Sequence, residues 1–214
     1  MIGIVMATLS EAKPFIVELS LVEDTTHPFR VFTGKDLLLL ICGIGKANSA
    51  MATAYCCHEF TPSVIVNLGA AGSTVNSHSL GEIYHISEIY EFDRPVFTTG
   101  KPHYTKTDPL KGFKLATLAT QDRAIITAED RQEVSSLATL VDMEGAAVAQ
   151  TCTKMGVWCL LFKFISDTPE HPEGEDIYAN IKRYRMGFFH YFQKHILPAC
   201  LLYTSPSPRD CGPD

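Results

Sequence analysis

Short apolar runs alternate with amphipathic stretches along this chain. Each run is almost free of polar residues, which is the pattern of a strand buried on both faces of a sheet. Such runs occupy residues 2–7, 63–68 and 158–165. The amphipathic stretches have helical spacing and cover roughly residues 11–21, 46–60, 146–155 and 176–196. Strands that alternate with helices in this way predict an α/β fold.

Weaker patterns predict further strands. Residues 29–33 and 36–42 indicate a hairpin around Gly34-Lys35. Residues 82–92 alternate imperfectly between apolar and polar positions and indicate one more strand. We therefore expect the sheet to be larger than the three apolar runs alone would make it.

The middle of the chain is expected to be less regular. Prolines and glycines recur over residues 93–112 and predict an irregular loop, followed by a short strand near 124–126. Thr127 is the expected N-cap of a helix over 128–137, and Ser10 is the candidate N-cap of the first helix.

Length and composition fit one globular domain. The chain has 214 residues, of which 46% are hydrophobic and 20% charged, as in ordinary globular proteins. The formal net charge of −6 argues against nucleic acid or an anionic membrane as the main partner. No apolar run reaches the roughly 18 residues of a membrane span, and no secretory signal is visible. The expected compartment is the cytoplasm.

Seven cysteines are spread over the chain, mostly within apolar segments. Their number is odd and no CxxC pair occurs, so we expect buried free thiols rather than disulfides or a zinc site. Residues 201–214 differ from everything before them, with three prolines close together. They resemble translated adapter sequence, and we expect a disordered, non-native tail that follows a domain over residues 1–200.

Carboxylates follow two of the strands. Asp142 and Glu144 end an apolar run at the start of a helix. Ligands of open α/β folds bind outside the carboxyl ends of strands, so these acids are candidates for a site that accepts hydrogen bonds from ribose hydroxyls. The same acids could instead complement the helix dipole, worth about 0.3–1 kcal/mol each. Glu11 has the same two interpretations, and for it the dipole role is favoured.

The longest apolar run contains a lysine and ends in Ser166-Asp167. Lys163 shares one strand face with Asp167, and burying it unpaired would be costly. It therefore points either to a polar edge of the sheet or to a site carboxylate. Small residues at 69–72 allow close approach by a flat ligand or by a neighbouring helix. The GxGK at 43–46 is not a P-loop.

Taken in order, these pieces resemble the nucleoside phosphorylase/nucleosidase superfamily, and most closely its 5′-methylthioadenosine/S-adenosylhomocysteine nucleosidases. The resemblance spans about residues 1–197 and lies in GIGKANSA at 43–50, VNLGAAG at 66–72, VDMEGAAVAQ at 141–150 and FISD at 164–167. It implies a single three-layer α/β/α domain around a mixed, curved central sheet. It also implies a homodimer or larger homo-oligomer.

The resemblance implies a role for each matched residue. Glu11 would orient and deprotonate the attacking water, while Asp167, positioned by Ser166, would protonate or hydrogen-bond N7 of the departing purine. Glu144 would accept hydrogen bonds from the ribose hydroxyls, with Met143 packing against the sugar. The reaction would be N-ribosyl hydrolysis that releases adenine, with no metal and no organic cofactor.

Several matched positions depart from the nucleosidase pattern. Ala70 stands where these enzymes have serine in the small turn that ends at Gly72, and Lys163 stands where they have arginine. Ala124 and Ile125 map onto the phenylalanine-isoleucine pair that sandwiches adenine. The base pocket is therefore expected to be wider or to close differently. The substrate could be another adenosine derivative, a futalosine-like nucleoside or the adenosyl head of a hopanoid precursor.

Water is the expected nucleophile. Phosphorylases of this superfamily hold phosphate with arginine after the first strand, whereas residues 7–11 here contain none and the first arginine is Arg30. A purine nucleoside phosphorylase is the nearest alternative, and a catalytically silent nucleoside-binding module is another. Asp167 and Glu11 argue against the binding module, because a protein that only binds needs no pair of catalytic acids.

Overall fold

The computed structural model describes residues 1–171 and 174–204. The strands of this part are β1 (Ile2–Met6), β2 (Val22–Asp24), β3 (Arg30–Thr33), β4 (Leu37–Ile41), β5 (Val64–Ser73), β6 (Ile83–Pro95), β7 (Pro102–Lys106), β8 (Leu115–Thr120), β9 (Leu140–Asp142) and β10 (Trp158–Asp167). The helices are α1 (Leu9–Glu18), α2 (Lys46–Phe60), α3 (Ala128–Ser135), α4 (Gly145–Met155), α5 (Gly174–Tyr191) and α6 (Leu197–Thr204). One π-helical turn, Phe192–Ile196, joins α5 to α6.

The strands form one mixed sheet in the order β10-β6-β8-β9-β5-β1-β4-β3-β2, with β7 paired to β6. Strand β5 also pairs with β10, so β10, β6, β8, β9 and β5 close into a ring. A sheet that meets itself in this way is strongly curved. Strands β1, β5 and β10 run parallel, which brings their carboxyl ends to one edge.

Helices cover both faces of the sheet. Helices α1 and α5 pack on one face, where Phe15 meets Phe188 edge to face and Ile4 of β1 joins the same core cluster. Helices α2 and α4 pack against each other on the opposite face, together with Val5 of β1. Successive strand residues point to opposite faces, which is why Ile4 and Val5 belong to different clusters. The predicted three-layer α/β/α architecture is confirmed.

The N-terminal cap of α1 was predicted wrongly. Thr8, not Ser10, is the N-cap: it has extended backbone angles and its side chain accepts a hydrogen bond from the Glu11 amide. Ser10 lies inside the helix. The Thr-x-x-Glu spacing of a capping box explains the difference, because Thr8 and Glu11 can satisfy each other's backbone donors.

The middle of the chain is more regular than predicted. Strand β7 lies within the expected loop 93–112 and pairs with β6. Residues 124–126 form no strand, and β8 lies earlier in the chain, between β6 and β9. The hairpin of β3 and β4 and the Thr127 cap of α3 are confirmed. Pairing with a neighbour made β7 and β8 strands where the local sequence gave little signal.

The C-terminal helix also ends later than predicted. Helix α6 continues to Thr204, so the first four residues of the predicted disordered tail are helical. The first proline of the tail is Pro206, and nothing earlier in it breaks a helix. The rest of the tail, residues 205–214, lies outside the described residues. Among the helices of the described part, none is long and apolar enough to cross a bilayer.

Candidate active site

One cleft of about 220 Å³ opens where the carboxyl ends of β1, β5 and β10 meet the start of α4. It brings together most of the residues predicted for the site: Glu11, Ala70, Gly72, Ile125, Met143, Glu144, Ser166 and Asp167 all line it. The remaining predicted residue, Lys163, lies beneath the lining and is 1% exposed. The sheet edge thus brings together polar and acidic side chains from distant parts of the chain, as expected for this class of fold.

Glu11 is fixed by the start of its own helix and by β5. The backbone nitrogen and the hydroxyl of Thr8 donate to Oε2 at 3.1 and 2.6 Å. The amide of Ala70 donates to Oε1 at 2.8 Å. The carboxylate is thus held in place at the cleft wall with only 5% of the residue exposed. Ala70 makes this contact through its backbone, so the missing serine hydroxyl does not affect it.

Glu144 immediately precedes α4 and receives a backbone donor from the glycine turn after β4. The amide of Gly45 donates to Oε1 at 2.9 Å. Gly45 has φ of +99°, in the region that favours glycine. Burial raises the pKa of Glu144 to about 7, and Asp142 adds to the rise while Lys163 and the Gly45 amide oppose it. Glu144 therefore changes its protonation state near neutral pH.

Lys163 meets a carboxylate rather than a polar edge of the sheet. Its Nζ lies 2.8 Å from Oδ2 of Asp142. Burial acts to lower the pKa of Lys163, but the attraction of Asp142, Glu144 and Glu11 outweighs it, so the pKa lies above its ordinary value. Lys163 is therefore the buried counter-charge for the carboxylates on this side of the cleft.

Asp142 serves the start of α4. Its Oδ2 accepts from the amide of Gly145 at 2.9 Å and its Oδ1 accepts from the Thr120 hydroxyl at 2.6 Å. The same hydroxyl accepts from the amide of Ala146 at 3.0 Å. Two otherwise unpaired amides of the first turn are thus satisfied. Of the two roles considered for this acid, helix capping is the one its contacts fit.

Asp167 ends β10 with a donor on each carboxyl oxygen. The Ser166 hydroxyl donates to Oδ1 and the Nη2 group of Arg131 donates to Oδ2, each at 2.5 Å. Gly72 allows this position, because a Cβ at Gly72 would lie 2.5 Å from Oδ2 of Asp167. The carboxyl group therefore lies directly against the end of β5, at the cleft surface.

The rest of the cleft wall is mainly apolar. Ile125 is 6% exposed and lines it next to Ala124. Further apolar side chains come from Ile44, Val141, Met143, Ile177 and Ile181. Such a wall suits a flat, largely apolar ring, and the carboxylates supply acceptors and proton-transfer groups for its polar edge.

Three residues at the site were missed from sequence. Thr8 carries a signal that could have been recognised, the capping box with Glu11. Gly45 belongs to the GxGK turn, to which the sequence analysis gave no role in the site, although its amide reaches Glu144. Arg131 gave no signal, because it lies in a polar helical segment that resembles an exposed surface.

The amino-acid sequence of this chain is similar to a known protein family and to individual known proteins. A family model described as "Phosphorylase superfamily" matches residues 1–130. The 5′-methylthioadenosine/S-adenosylhomocysteine nucleosidase of Staphylococcus aureus is 29% identical over 198 aligned residues, which cover 78% of this chain and 86% of that protein. The sequence similarity therefore extends over most of both chains.

Solved structures share the fold. The apo form of the 5′-methylthioadenosine nucleosidase of Arabidopsis thaliana superposes with a TM-score of 0.83 at 20% identity and covers 98% of both chains. A mutant futalosine hydrolase of Helicobacter pylori superposes with a TM-score of 0.80 at 20% identity, over 92% of this chain and 98% of that one. At these identities the likeness establishes the fold, and the chemistry must be argued from the cleft.

Proposed function

This chain belongs to the phosphorylase superfamily, and on that premise we propose that it is a purine nucleoside N-ribosyl hydrolase. The proposed substrate is 5′-methylthioadenosine, S-adenosylhomocysteine or a related adenosine derivative, and the products are adenine and the free sugar. One observation carries the proposal: Glu11, Glu144 and Asp167, three of the four buried carboxylates among the described lining residues of the cleft, are held there by different donors. The Staphylococcus aureus relative, named as such a nucleosidase, supports it.

The proposed mechanism divides the work between these acids. Glu144 accepts hydrogen bonds from the ribose hydroxyls and Met143 packs against the sugar. As the bond from C1′ to N9 breaks, its electron pair moves onto the purine and Asp167 transfers a proton to N7. Glu11 accepts a proton from the water that attacks C1′. Proton exchange with solvent then restores both acids.

Water is proposed as the nucleophile rather than phosphate. The segment beside Glu11 supplies Ala7 and Thr8 to the cleft, neither of which carries the charge that a phosphate ion would need. Among the described lining residues the one cationic side chain is Arg123, and it pairs with Asp130. These features support hydrolysis over phosphorolysis.

The proposal is tested by incubating the purified protein with adenine nucleosides in phosphate-free buffer made with ¹⁸O-labelled water. We expect free adenine, and one labelled oxygen on C1 of the released sugar. Glu11→Gln and Asp167→Asn are the matched inactive controls. Adenine release that requires added phosphate would identify a phosphorylase. Tight binding without any release would identify a nucleoside-binding module.

Substrate choice is tested in the same assay. The panel contains 5′-methylthioadenosine, S-adenosylhomocysteine, adenosine and futalosine. We expect the adenine nucleosides to be preferred. Asp167 corresponds to an aspartate that, in the nucleosidases this sequence resembles, suits purines with a 6-amino group. The likeness to a futalosine hydrolase fold is the reason for including the last compound. A clear preference for futalosine would change the proposed substrate class from adenine nucleosides to futalosine-like nucleosides.

We further propose a cytoplasmic homodimer or larger homo-oligomer. Five cysteines of the described part, at positions 42, 56, 57, 152 and 159, are free thiols, as in a reducing compartment. Large apolar side chains that are exposed in the single chain, such as Phe97, Met51 and Met155, suit a surface that a second copy covers. Light scattering coupled to size-exclusion chromatography tests the oligomer, and a monomer at micromolar concentration would exclude it.

A further inference from the structure

Arg131 of α3 is a buried cation that the proposed mechanism does not use. Its side chain is 2% exposed. Its Nη1 group donates to the carbonyl of Ser73 and its Nη2 group donates to Oδ2 of Asp167, both at 2.5 Å. The guanidinium does not line the cleft. It therefore reaches the proposed acid from within the protein rather than from the substrate side.

Stability alone is a poor explanation for this arrangement. Removing a guanidinium from water is costly, and a buried ion pair often contributes no more than an apolar pair of the same volume. Arg131 is also incompletely satisfied, because its Nε has no hydrogen-bond partner among the described residues. An apolar side chain at this position would avoid both costs. The position of the charge next to Asp167 is the feature that calls for a chemical explanation.

Resting on the proposed nucleosidase function, we propose that Arg131 is a positioning residue that stabilises the Asp167 carboxylate as its proton passes to the purine. In that step the O–H bond of Asp167 breaks, a bond forms between the proton and N7, and the electron pair of the C1′–N9 bond moves onto the base. Negative charge develops on Asp167 during the step. A fixed cation beside this charge lowers the barrier, because it interacts more strongly with the transition state than with the neutral acid.

The geometry fits the completed proton transfer. Ser166 and Arg131 each donate to one oxygen of Asp167, so both oxygens already have a donor for the negative charge that the proton transfer leaves on them. Arg131 is held at its other end by the Ser73 carbonyl, so the guanidinium is already in place when charge develops. Such preorganisation makes a fixed charge effective.

The test compares two leaving groups in three variants. Arg131→Met removes the charge and keeps an extended side chain, and Arg131→Lys keeps the charge. Gln132→Met introduces the same methionine at the next, exposed position of α3 and is the matched control. The substrates are 5′-methylthioadenosine, whose base needs a proton, and a 4-nitrophenyl riboside, whose phenolate departs without one.

For Arg131→Met we expect kcat on 5′-methylthioadenosine to fall about 10²-fold while KM changes about threefold or less. With the nitrophenyl riboside the rate should stay within about threefold of wild type, because no proton is needed. Arg131→Lys should recover most of the activity, and Gln132→Met should match wild type. If the wild-type protein does not accept the riboside, the kcat effect at constant KM and the lysine rescue decide the question.

Three results would overturn the proposal: unchanged kcat in Arg131→Met, equal losses on both substrates, or a loss that follows the fraction of unfolded protein measured by circular dichroism. The wild-type assay separates this failure from that of the proposed function. A wild type that releases no base from any nucleoside refutes the nucleosidase itself. An active wild type with a fully active Arg131→Met variant refutes only the role of Arg131.

Discussion

Two buried ion pairs lie beside the cleft, and they differ in what surrounds the carboxylate. In the scaffold pair, Lys163–Asp142, the carboxylate also accepts from Thr120 and Gly145 and fixes the start of α4. In the acid pair, Arg131–Asp167, Ser166 is the one other donor to the carboxyl group within the described residues. Both aspartates are among the residues that line the cleft. The side chains of Asp142 and Asp167 are 1% and 5% exposed.

Burial alone therefore does not define the role of an ion pair. Asp142 has its oxygens engaged by groups whose own positions depend on it, so the scaffold pair is expected to govern stability and the placement of Glu144. Asp167 lies at the end of β10 and holds no helix start in place, so the acid pair is expected to govern chemistry. Each assignment is a prediction that substitutions on the two sides can separate.

The largest difference is expected between the two aspartates. Asp167→Asn should lower kcat about 10⁴-fold, equivalent to about 5.4 kcal/mol, because an amide cannot transfer the proton. The amide oxygen can still accept from Arg131, so the fold should persist. Asp142→Asn should instead lower the free energy of unfolding and leave a folded fraction with measurable turnover. Steady-state kinetics and urea unfolding measure both; similar turnover in the two variants would remove the distinction.

The second-largest difference is expected between the two cations, Lys163 and Arg131, in how much their replacement destabilises the protein. Lys163→Met should lower the free energy of unfolding by about 3–5 kcal/mol, since it leaves buried carboxylates without a counter-charge. Lys163 is attracted by Asp142, Glu144 and Glu11, whereas Arg131 pairs with one carboxylate. Arg131→Met should therefore cost less stability than Lys163→Met. Chemical denaturation of both variants at pH 7 decides the order, and a larger loss for Arg131→Met would contradict it.

A glycine lies against each of the two carboxylates and offers a smaller perturbation. A Cβ at Gly72 would lie 2.5 Å from Oδ2 of Asp167, whereas one at Gly145 would lie 2.5 Å from Cδ2 of Leu118 and 2.9 Å from Oδ2 of Asp142. Gly72→Ala should displace the acid and lower kcat by roughly 10²-fold. Gly145→Ala should mainly lower the free energy of unfolding, by about 1–3 kcal/mol.

Kinetics and unfolding measured on the same preparations test this pair of glycine variants. Gly100→Ala is a control for the loss of a glycine, because its Cβ would meet nothing within 4 Å, although its φ of +66° adds some backbone strain. The comparison fails if Gly72→Ala is destabilised but fully active in its folded fraction. It also fails if Gly145→Ala loses turnover while its stability is unchanged.

The sequence indicated the carboxylates Glu11 and Asp167 but not Arg131, the ion-pair partner of Asp167. The runs that became β1, β5 and β10 were visible because buried parallel strands are apolar throughout. Their shared direction is what brings Glu11 and Asp167 to one cleft. Asp167 ends such a run and Glu11 follows another within four residues, so a strand-end argument could find both.

Arg131 and β7 could not be predicted by the same argument. Arg131 lies between polar residues of α3, and its burial depends on Ser73 and Asp167, which are far away in sequence. Strand β7 has the sequence PHYTK, with little apolar character, and its pairing with β6 makes it a strand. In both cases the deciding contacts are long-range, so local patterns carry no trace of them.

The smallest expected effect concerns Glu144, which adjoins the scaffold pair. Its pKa is raised from 4.5 to about 7, so the residue is mostly protonated at pH 6 and mostly ionised at pH 8. The ionised form offers both oxygens to the ribose hydroxyls, so KM should fall roughly tenfold between these pH values. The stability of the folded state changes in the opposite sense: the free energy of unfolding falls as the pH rises. Because the folded state holds the proton more tightly, its contribution is complete below pH 4.5 and is lost as the pH rises to about 7.

Glu144→Gln separates this effect from the acid pair. The amide does not titrate, so KM should be high and nearly independent of pH, and the unfolding free energy should vary less between pH 4.5 and 7. Arg131→Met should keep the wild-type dependence of KM on pH, because Arg131 acts on Asp167 and not on Glu144. Measuring KM from pH 6 to 8 in the three proteins tests this directly. A wild-type KM that does not change with pH would show that Glu144 is not the group that holds the sugar.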